Sequence, residues 1–289
     1  MNMESASLRD DARVIGLVGI AHGVSHFFHL ILAGLFPWIK SAFGLSYAEL
    51  GLLMTVFFVV SGVGQALSGF VVDRVGARSV LFAGLALLGS AALLLAAAPN
   101  YLALLAGSMV AGCGNAVFHP ADYTLLNQRV SKPRLAHAFS VHGISGNLGW
   151  AGAPVFLAGV AALSNWRLAL VAAAAIPFAV LCLLVVNRTR LQTEQAAPRH
   201  ADAAGEGNSF DFLRLPQVWM CFAFFFLTSV ALAGIQSFAS TSLVALYGIS
   251  LATATSAYTV YMLASAGGMV LGGFLAARAS SHDRTIAGA

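Results

Sequence analysis

Charge is what this chain most lacks. Of 289 residues only 9% are Asp, Glu, Lys or Arg, against about 25% in a soluble domain. So few charges cannot cover a water-facing surface, while 59% of the residues are hydrophobic and mean hydropathy is +0.83. A soluble globular fold is excluded, and the composition indicates an integral membrane protein in a lipid bilayer. Cysteine is also scarce. Cys113, Cys182 and Cys221 stand alone in separate apolar runs, which excludes a disulfide framework or a cysteine metal site and leaves three small buried hydrophobes. No Walker-type phosphate loop occurs, so ATP is not the direct energy source. No nucleophile–base pair, cofactor motif or metal-ligand spacing stands out, so no enzyme, cofactor or metal is expected. The net charge of +4 and the pI of about 9.2 do not indicate nucleic acid, because no basic patch is interleaved with aromatics.

What is present is a series of apolar runs. Crossing about 30 Å at about 1.5 Å per residue takes roughly 20 residues. Runs of that order cover Val14 to Trp38, Leu50 to Val72, Val80 to Ala98, Tyr101 to Leu126, Ala136 to Leu163, Trp166 to Val186, Val218 to Leu246 and Thr253 to Ala277. The first is too long for a signal-peptide core and reads as a retained helix. Residues 188–213 are polar and mixed in charge, and read as a loop. Thirteen of the 15 basic residues fall in one alternating set of loops, among them Arg9, Arg13, Arg129, Lys132, Arg188, Arg199 and Arg284. The other set holds only Lys40 and Arg167. The positive-inside rule then places the N-terminus, the 188–213 loop and the C-terminus in the cytoplasm.

The second and eighth runs repeat one another. "TVFFVVSGVGQALSGFVVDR" (55–74) and "TVYMLASAGGMVLGGFLAAR" (259–278) share eight of twenty positions at an offset of 204. The preceding loops, "GLSYAELG" (44–51) and "GISLATAT" (248–255), keep that offset. Duplication at this spacing implies a six-helix unit (1–187), a linker (188–213) and a second unit beginning at 214. Parallel repeats of this kind build many transporters. The expected fold is all-α, with one complete six-helix bundle and two helices of a second, as if the chain were truncated after its eighth helix.

"GFVVDRVGAR", with Gly69, Asp73, Arg74, Gly76 and Arg78, closely resembles the loop between the second and third helices of the major facilitator superfamily. There it braces two halves of the carrier on the cytoplasmic side. Gly69 would let helices approach, and Asp73 would meet a helix N-terminus or a cation. The second copy has Gly273 and Arg278 but Ala277 in place of the aspartate. "SHFFH" (25–29), "GCGNAVFHPAD" (112–122) and "HGISGNLGWAGAP" (142–154) narrow the resemblance to the fosmidomycin-resistance-like efflux branch. Three positions depart from that branch. Leu30 stands where it has an acidic residue, Ala121 precedes Asp122 where it has Glu, and Ala66 follows Gln65 where it has Pro.

The polar residues in these runs are the site candidates. His22, His26 and His29 lie on one side of the first helix. His26 sits about 18 Å from its start, near mid-membrane, where an ionisable group lines a cavity or meets a partner. His29 ranks below it and His22 lowest. Gln65 either bonds substrate or ties two helices. In "GNAVFHPADYTLL" (114–126), Asn115, His119 and Asp122 surround Pro120, which loosens the helix. Counted from Tyr101, His119 lies about 27 Å in, at the cytoplasmic mouth facing His142, with Asp122 reaching water or the basic loop. Asn147 lies amid Gly146, Gly149 and Gly152, and Pro154 is an expected kink. Arg167 beside Trp166 reads as an interfacial anchor. Gln236 and Tyr261 are positional candidates in the second unit.

The function expected is secondary transport, with protons as coupling ion through the histidines and Asp122. The resemblance implies efflux of a small polar compound or antibiotic from a bacterial inner membrane, by a monomer. Uptake of a small organic acid or sugar is an alternative, as is a non-transporting scaffold or sensor of truncated carrier fold.

Overall fold

The structure, a computed structural model, describes residues 7–193 and 214–278, with the side chains of 273–278 outside that description. Most of the 188–213 linker, Arg199, Arg284 and the side chain of Arg278 therefore lie outside the described residues. The described chain is helical throughout: α1 (Leu8–His29), α2 (Phe36–Phe43), α3 (Tyr47–Val75), α4 (Ala77–Ala97), α5 (Tyr101–Asn115), α6 (Phe118–Arg129), α7 (Leu135–Leu163), α8 (Trp166–Val186), α9 (Pro216–Tyr247) and α10 (Leu251–Arg278). By length and apolar composition six segments can cross a membrane, and α1 with α2 makes a seventh, bent by 48°. The first expected span is thus two helices rather than one. Pro37 opens α2, where its missing N–H costs nothing. The eighth expected segment is α10, a 28-residue helix outside that set among the described residues.

The fourth expected span is broken as well, at Ala116 and Val117. Pro120 has no N–H to give the carbonyl of Ala116, one turn earlier. Ser68 of α3 donates to that carbonyl instead, at 2.8 Å in a buried position. A backbone group freed inside hydrocarbon is thereby satisfied by a neighbouring helix. α7, by contrast, runs unbroken through Pro154.

The duplicated loops carry the same backbone punctuation. Gly44 ends α2 and Gly248 ends α9, each with φ of +65°, a left-handed conformation that glycine adopts without a Cβ clash. Two residues on, Ser46 caps α3, accepting from the Glu49 N–H at 3.2 Å. Ser250 accepts from the Thr253 N–H at 3.1 Å. Tyr47 and Leu251 start helices at the offset of 204.

α1 packs along α7, α4 lies against α5 and α8, and α10 packs on α7. The core is aliphatic and aromatic, with Phe28, Phe36 and Phe118 fully buried. Along α9, Phe222, Phe224, Phe225 and Phe226 are exposed, an apolar surface suited to hydrocarbon or another helix. The three cysteines are exposed, not buried as expected. They sit on apolar outer faces, where a thiol behaves as a small hydrophobe.

A candidate site of clustered histidines

The site begins with a glycine contact. A Cβ placed on Gly149 of α7 would strike the Gly23 carbonyl oxygen of α1, and one on Gly23 would lie 3.1 Å from the Ser145 carbonyl oxygen. Small residues let the two backbones touch. Gly146 does the same for side chains, since a Cβ there would sit 2.5 Å from His26 Nδ1 and 2.9 Å from His22 Cε1. Two imidazoles from α1 therefore occupy the space above a glycine of α7.

His22, His26, His119 and His142 gather there from α1, α6 and α7. The His22 ring stacks on His142 with centroids 3.4 Å apart, and lies 4.2 Å from His26 and 5.2 Å from His119. His22, His26 and His142 are buried, and Asp122 is completely so. His119 faces His142 as expected, with ring centroids 5.8 Å apart, and it also lies 6.1 Å from His26 between centroids. Asp122 faces His142 Nε2 at 3.2 Å, not water or the basic loop. His22, ranked lowest from sequence, touches every other member.

Hydrogen bonds fix where the ring protons sit. His22 Nδ1 lies 2.8 Å from the backbone carbonyl of His142. A carbonyl only accepts, so Nδ1 carries the proton and Nε2 a lone pair. His119 Nδ1 lies 2.7 Å from Gln65 Oε1, another acceptor, which leaves His119 Nε2 with a lone pair too. The two Nε2 atoms face each other at 3.4 Å. His26 has no hydrogen-bond partner on either ring nitrogen.

His29 is differently held. Trp150 Nε1, which can only donate, bonds His29 Nδ1 at 3.1 Å. The His29 proton is then on Nε2, which lies 3.0 Å from Asn115 Nδ2; with that amide turned over, the Asn115 oxygen accepts it. Ser61 Oγ lies 2.8 Å from the same amide group. Both nitrogens of His29 are engaged, so it positions its neighbours and offers no lone pair. Trp150 and Ser61 escaped the sequence reading, although Trp150 closes the quoted "GNLGW".

Other expected site residues lie apart. Asn147 is buried, with its amide 3.3 Å from the Gly143 carbonyl and 2.7 Å from Met269 Sδ of α10. Gln236 is buried beside Leu30, Pro37 and Pro154, away from the imidazoles. Tyr261 is 45% exposed, whereas Tyr258 is buried. In the expected brace, Arg78 donates to the Arg188 carbonyl at 3.2 Å, but Asp73 and Arg74 are exposed. Among the described residues a Cβ on Gly69 would meet nothing within 4 Å. Gly76 joins α3 to α4. Arg167 lies over the Trp166 ring at 4.2 Å and donates to the Ala96 carbonyl, as an anchor should.

An acidic brace that sequence reasoning missed lies at the other end of α1. Asp11 is fully buried and accepts from Ser131 Oγ and Arg134 Nε, both at 2.6 Å. Burial alone would raise its pKa, but the Ser131 and Arg134 hydrogen bonds outweigh it and hold the carboxyl below the usual range. Asp10 meets Arg190 at 3.1 Å, and Arg129 donates to the Arg190 carbonyl at 3.0 Å. Two basic breaks of the chain, at 129–134 and 188–190, are thus tied to its N-terminal turn and to each other.

The comparisons with known proteins agree with this architecture. The profile of the Major Facilitator Superfamily matches residues 18–289. Over 145 residues, half of this chain, it is 27% identical to the uncharacterized MFS-type transporter YfnC of Bacillus subtilis (strain 168) and 25% identical to the fosmidomycin resistance protein of Escherichia coli (strain K12). Those matches cover 35% and 36% of the relatives' lengths. Among solved structures, a bacterial homologue of the human lysosomal transporter Spinster, inward-facing and occupied, superposes with a TM-score of 0.71 at 19% identity. It covers 95% of this chain and 63% of the homologue. A peptide transporter POT in complex with sulfate gives 0.58 at 16% identity, over 95% of this chain and 55% of its own.

Proposed function

The chain belongs to the Major Facilitator Superfamily, a family of multi-pass membrane carriers that are not enzymes, and from that premise we propose that it is part or all of a secondary transporter that exports a small polar compound in exchange for protons. Two helical units, residues 1–187 and 214 onward, would rock about a central site to open it to each side in turn. The observation that carries the reading is the cluster of buried His22, His26, His142 and Asp122 with half-buried His119 between α1, α6 and α7. Ionisable groups so placed in a membrane protein are expensive, and they mark ion or substrate pathways.

The proton path would run along hydrogen-bond partners. His22 Nε2 and His119 Nε2 share a proton when one is present, Gln65 steadies His119, and His142 passes charge to Asp122. Asn147, Gln236 and Tyr261 belong to substrate contact, and Gly69, Asp73, Arg74, Gly76 and Arg78 to the conformational brace. Efflux, rather than uptake, is supported by the likeness to the fosmidomycin resistance protein. The location is the bacterial inner membrane, with a cytoplasmic N-terminus and a monomeric carrier.

Everted membrane vesicles test this. With an imposed pH gradient, the protein should drive substrate uptake into the vesicles, and dissipating the gradient should stop it. His26→Ala and Asp122→Asn should each abolish the gradient-driven component at unchanged membrane abundance. Full gradient-driven transport by both variants would remove the cluster from coupling.

A further inference from the structure

The sequence indicated no metal site, since no ligand spacing is visible along the chain. The fold assembles one from two separate stretches, α1 and α6. His22 Nε2 and His119 Nε2 each point a lone pair at the other across 3.4 Å, because an acceptor fixes the proton of each ring on Nδ1: the His142 carbonyl at 2.8 Å and Gln65 Oε1 at 2.7 Å. Facing lone pairs repel unless a cation lies between them. His26 stands beside the pair, 92% buried by its 8% exposure, with both nitrogens unpartnered. One nitrogen from each of the three rings lies within 4.8 Å of the others.

We propose that His22, His26 and His119 bind a divalent first-row transition-metal ion, with Zn2+ as the representative. Two nitrogens at about 2.05 Å from a tetrahedral ion stand about 3.3 Å apart, which the His22–His119 pair already matches. His26, whose nitrogen lies within 4.8 Å of the other two, completes three ligands by a ring swing of up to about 1.5 Å. A fourth position would be left for water or cargo. Neutral imidazoles select Zn2+, Co2+, Ni2+ or Cu2+ over Mg2+ and Ca2+, which need oxygen ligands. The second ring is also built. The carbonyl of His142 and the Gln65 amide hold the tautomers, as outer partners of ligating histidines do. A carboxyl also stands close by, with Asp122 Oδ2 3.2 Å from His142 Nε2. His142 itself stays outside the ligand set, because its Nε2 is committed to Asp122.

The inference goes beyond proton coupling and is tested apart from transport. The chain, purified in detergent without a polyhistidine tag and stripped of metal, is titrated with Zn2+ by calorimetry and with Co2+ by visible absorption. One ion per chain is expected, with the intense bands of tetrahedral Co2+, and no heat from Mg2+. His22→Ala and His119→Ala should each weaken Zn2+ binding at least 10-fold. Gln65→Ala, which removes no ligand, should weaken it about 10- to 100-fold. His137→Ala, at an exposed histidine, should change nothing. Size-exclusion profiles and helical circular dichroism identify any variant that fails to fold, and Gln65→Ala carries the test in that case. The proposal is overturned if the folded wild-type chain takes up no Zn2+. It is also overturned if ring-nitrogen NMR finds His119 protonated on Nε2, meaning Gln65 donates to it. It fails too if folded His22→Ala and His119→Ala bind Zn2+ as tightly as the wild type. Loss of this proposal would leave the transport reading to its own vesicle test.

Discussion

Gly149→Ala is the sharpest perturbation available, because a single methyl group tests both packing and site. The new Cβ would overlap the Gly23 carbonyl oxygen and sit 3.0 Å from the Phe27 amide nitrogen. Both obstacles are backbone, so no side chain can swing away, and α1 and α7 must separate by about 1 Å to reach ordinary contact. Overpacking of that kind costs about 1–3 kcal/mol, which lowers the melting temperature by roughly 2–10 °C for a chain of this size. The same displacement stretches the 2.8 Å bond from His22 Nδ1 to the His142 carbonyl to about 3.8 Å, beyond hydrogen bonding. Gly152→Ala, three residues along the same helix, is the control, since a Cβ there meets nothing within 4 Å. It should be neutral or gain up to about 1 kcal/mol of helix propensity. Thermal unfolding in detergent, read by tryptophan fluorescence, compares the two. Ring-nitrogen NMR should show loss of the His22 Nδ1–H hydrogen bond in Gly149→Ala alone. Equal melting temperatures for the two variants would refute the claim that glycine contact sets the α1–α7 distance.

Ser68→Ala should destabilise by about 1–3 kcal/mol, because it strands the Ala116 carbonyl that Pro120 cannot reach; thermal unfolding against Ser140→Ala, at an exposed serine, checks it. Asp11 has a lowered folded-state pKa, so its stabilisation is full above the ordinary carboxylate value of 3.8 and fades as pH falls below it. Asp11→Asn should cost about 1–3 kcal/mol at neutral pH, and its deficit against wild type should shrink under acid. A deficit that is constant with pH would contradict the ionised brace. Trp150→Phe removes the donor to His29 Nδ1 and should cost about 1 kcal/mol. Ring-nitrogen NMR should find His29 protonated on Nε2 in the wild type, and an Nδ1–H there would refute the assigned roles of Trp150 and Asn115.

The helical course of the chain was legible because hydropathy is written along it. Runs such as Trp166 to Val186 became helices with those ends, and the 204-residue repeat reappeared as paired glycine turns and serine caps. Depth and neighbourhood were not legible. The count that put His119 at the inner mouth used distance along residues 101–126 alone and carried no information on which α1 side chains face it. The rank given to His22 considered its own helix only. Its central position comes from how closely α7 approaches, which depends on Gly23 and Gly149, residues with no chemistry of their own. The isolation of Gln236 has the same origin, since its helix position says nothing of which face meets α1. The brace at Asp11 was hidden because its partners, Ser131 and Arg134, are over a hundred positions away.

The two copies share their turns but not their titratable groups. At the offset of 204, His22, His26 and His29 correspond to Phe226, Val230 and Ala233, while Gly44 and Ser46 correspond to Gly248 and Ser250 with the same backbone geometry. After duplication the joints were kept and the acid–base residues diverged. On the proposed transport reading a division of labour follows: one repeat would bear the ion chemistry, and the other would supply a matching lever with an inert apolar face. Mutational tolerance should be lopsided in the same way, with polar replacements on α1 costing function and their counterparts on α9 costing only membrane insertion.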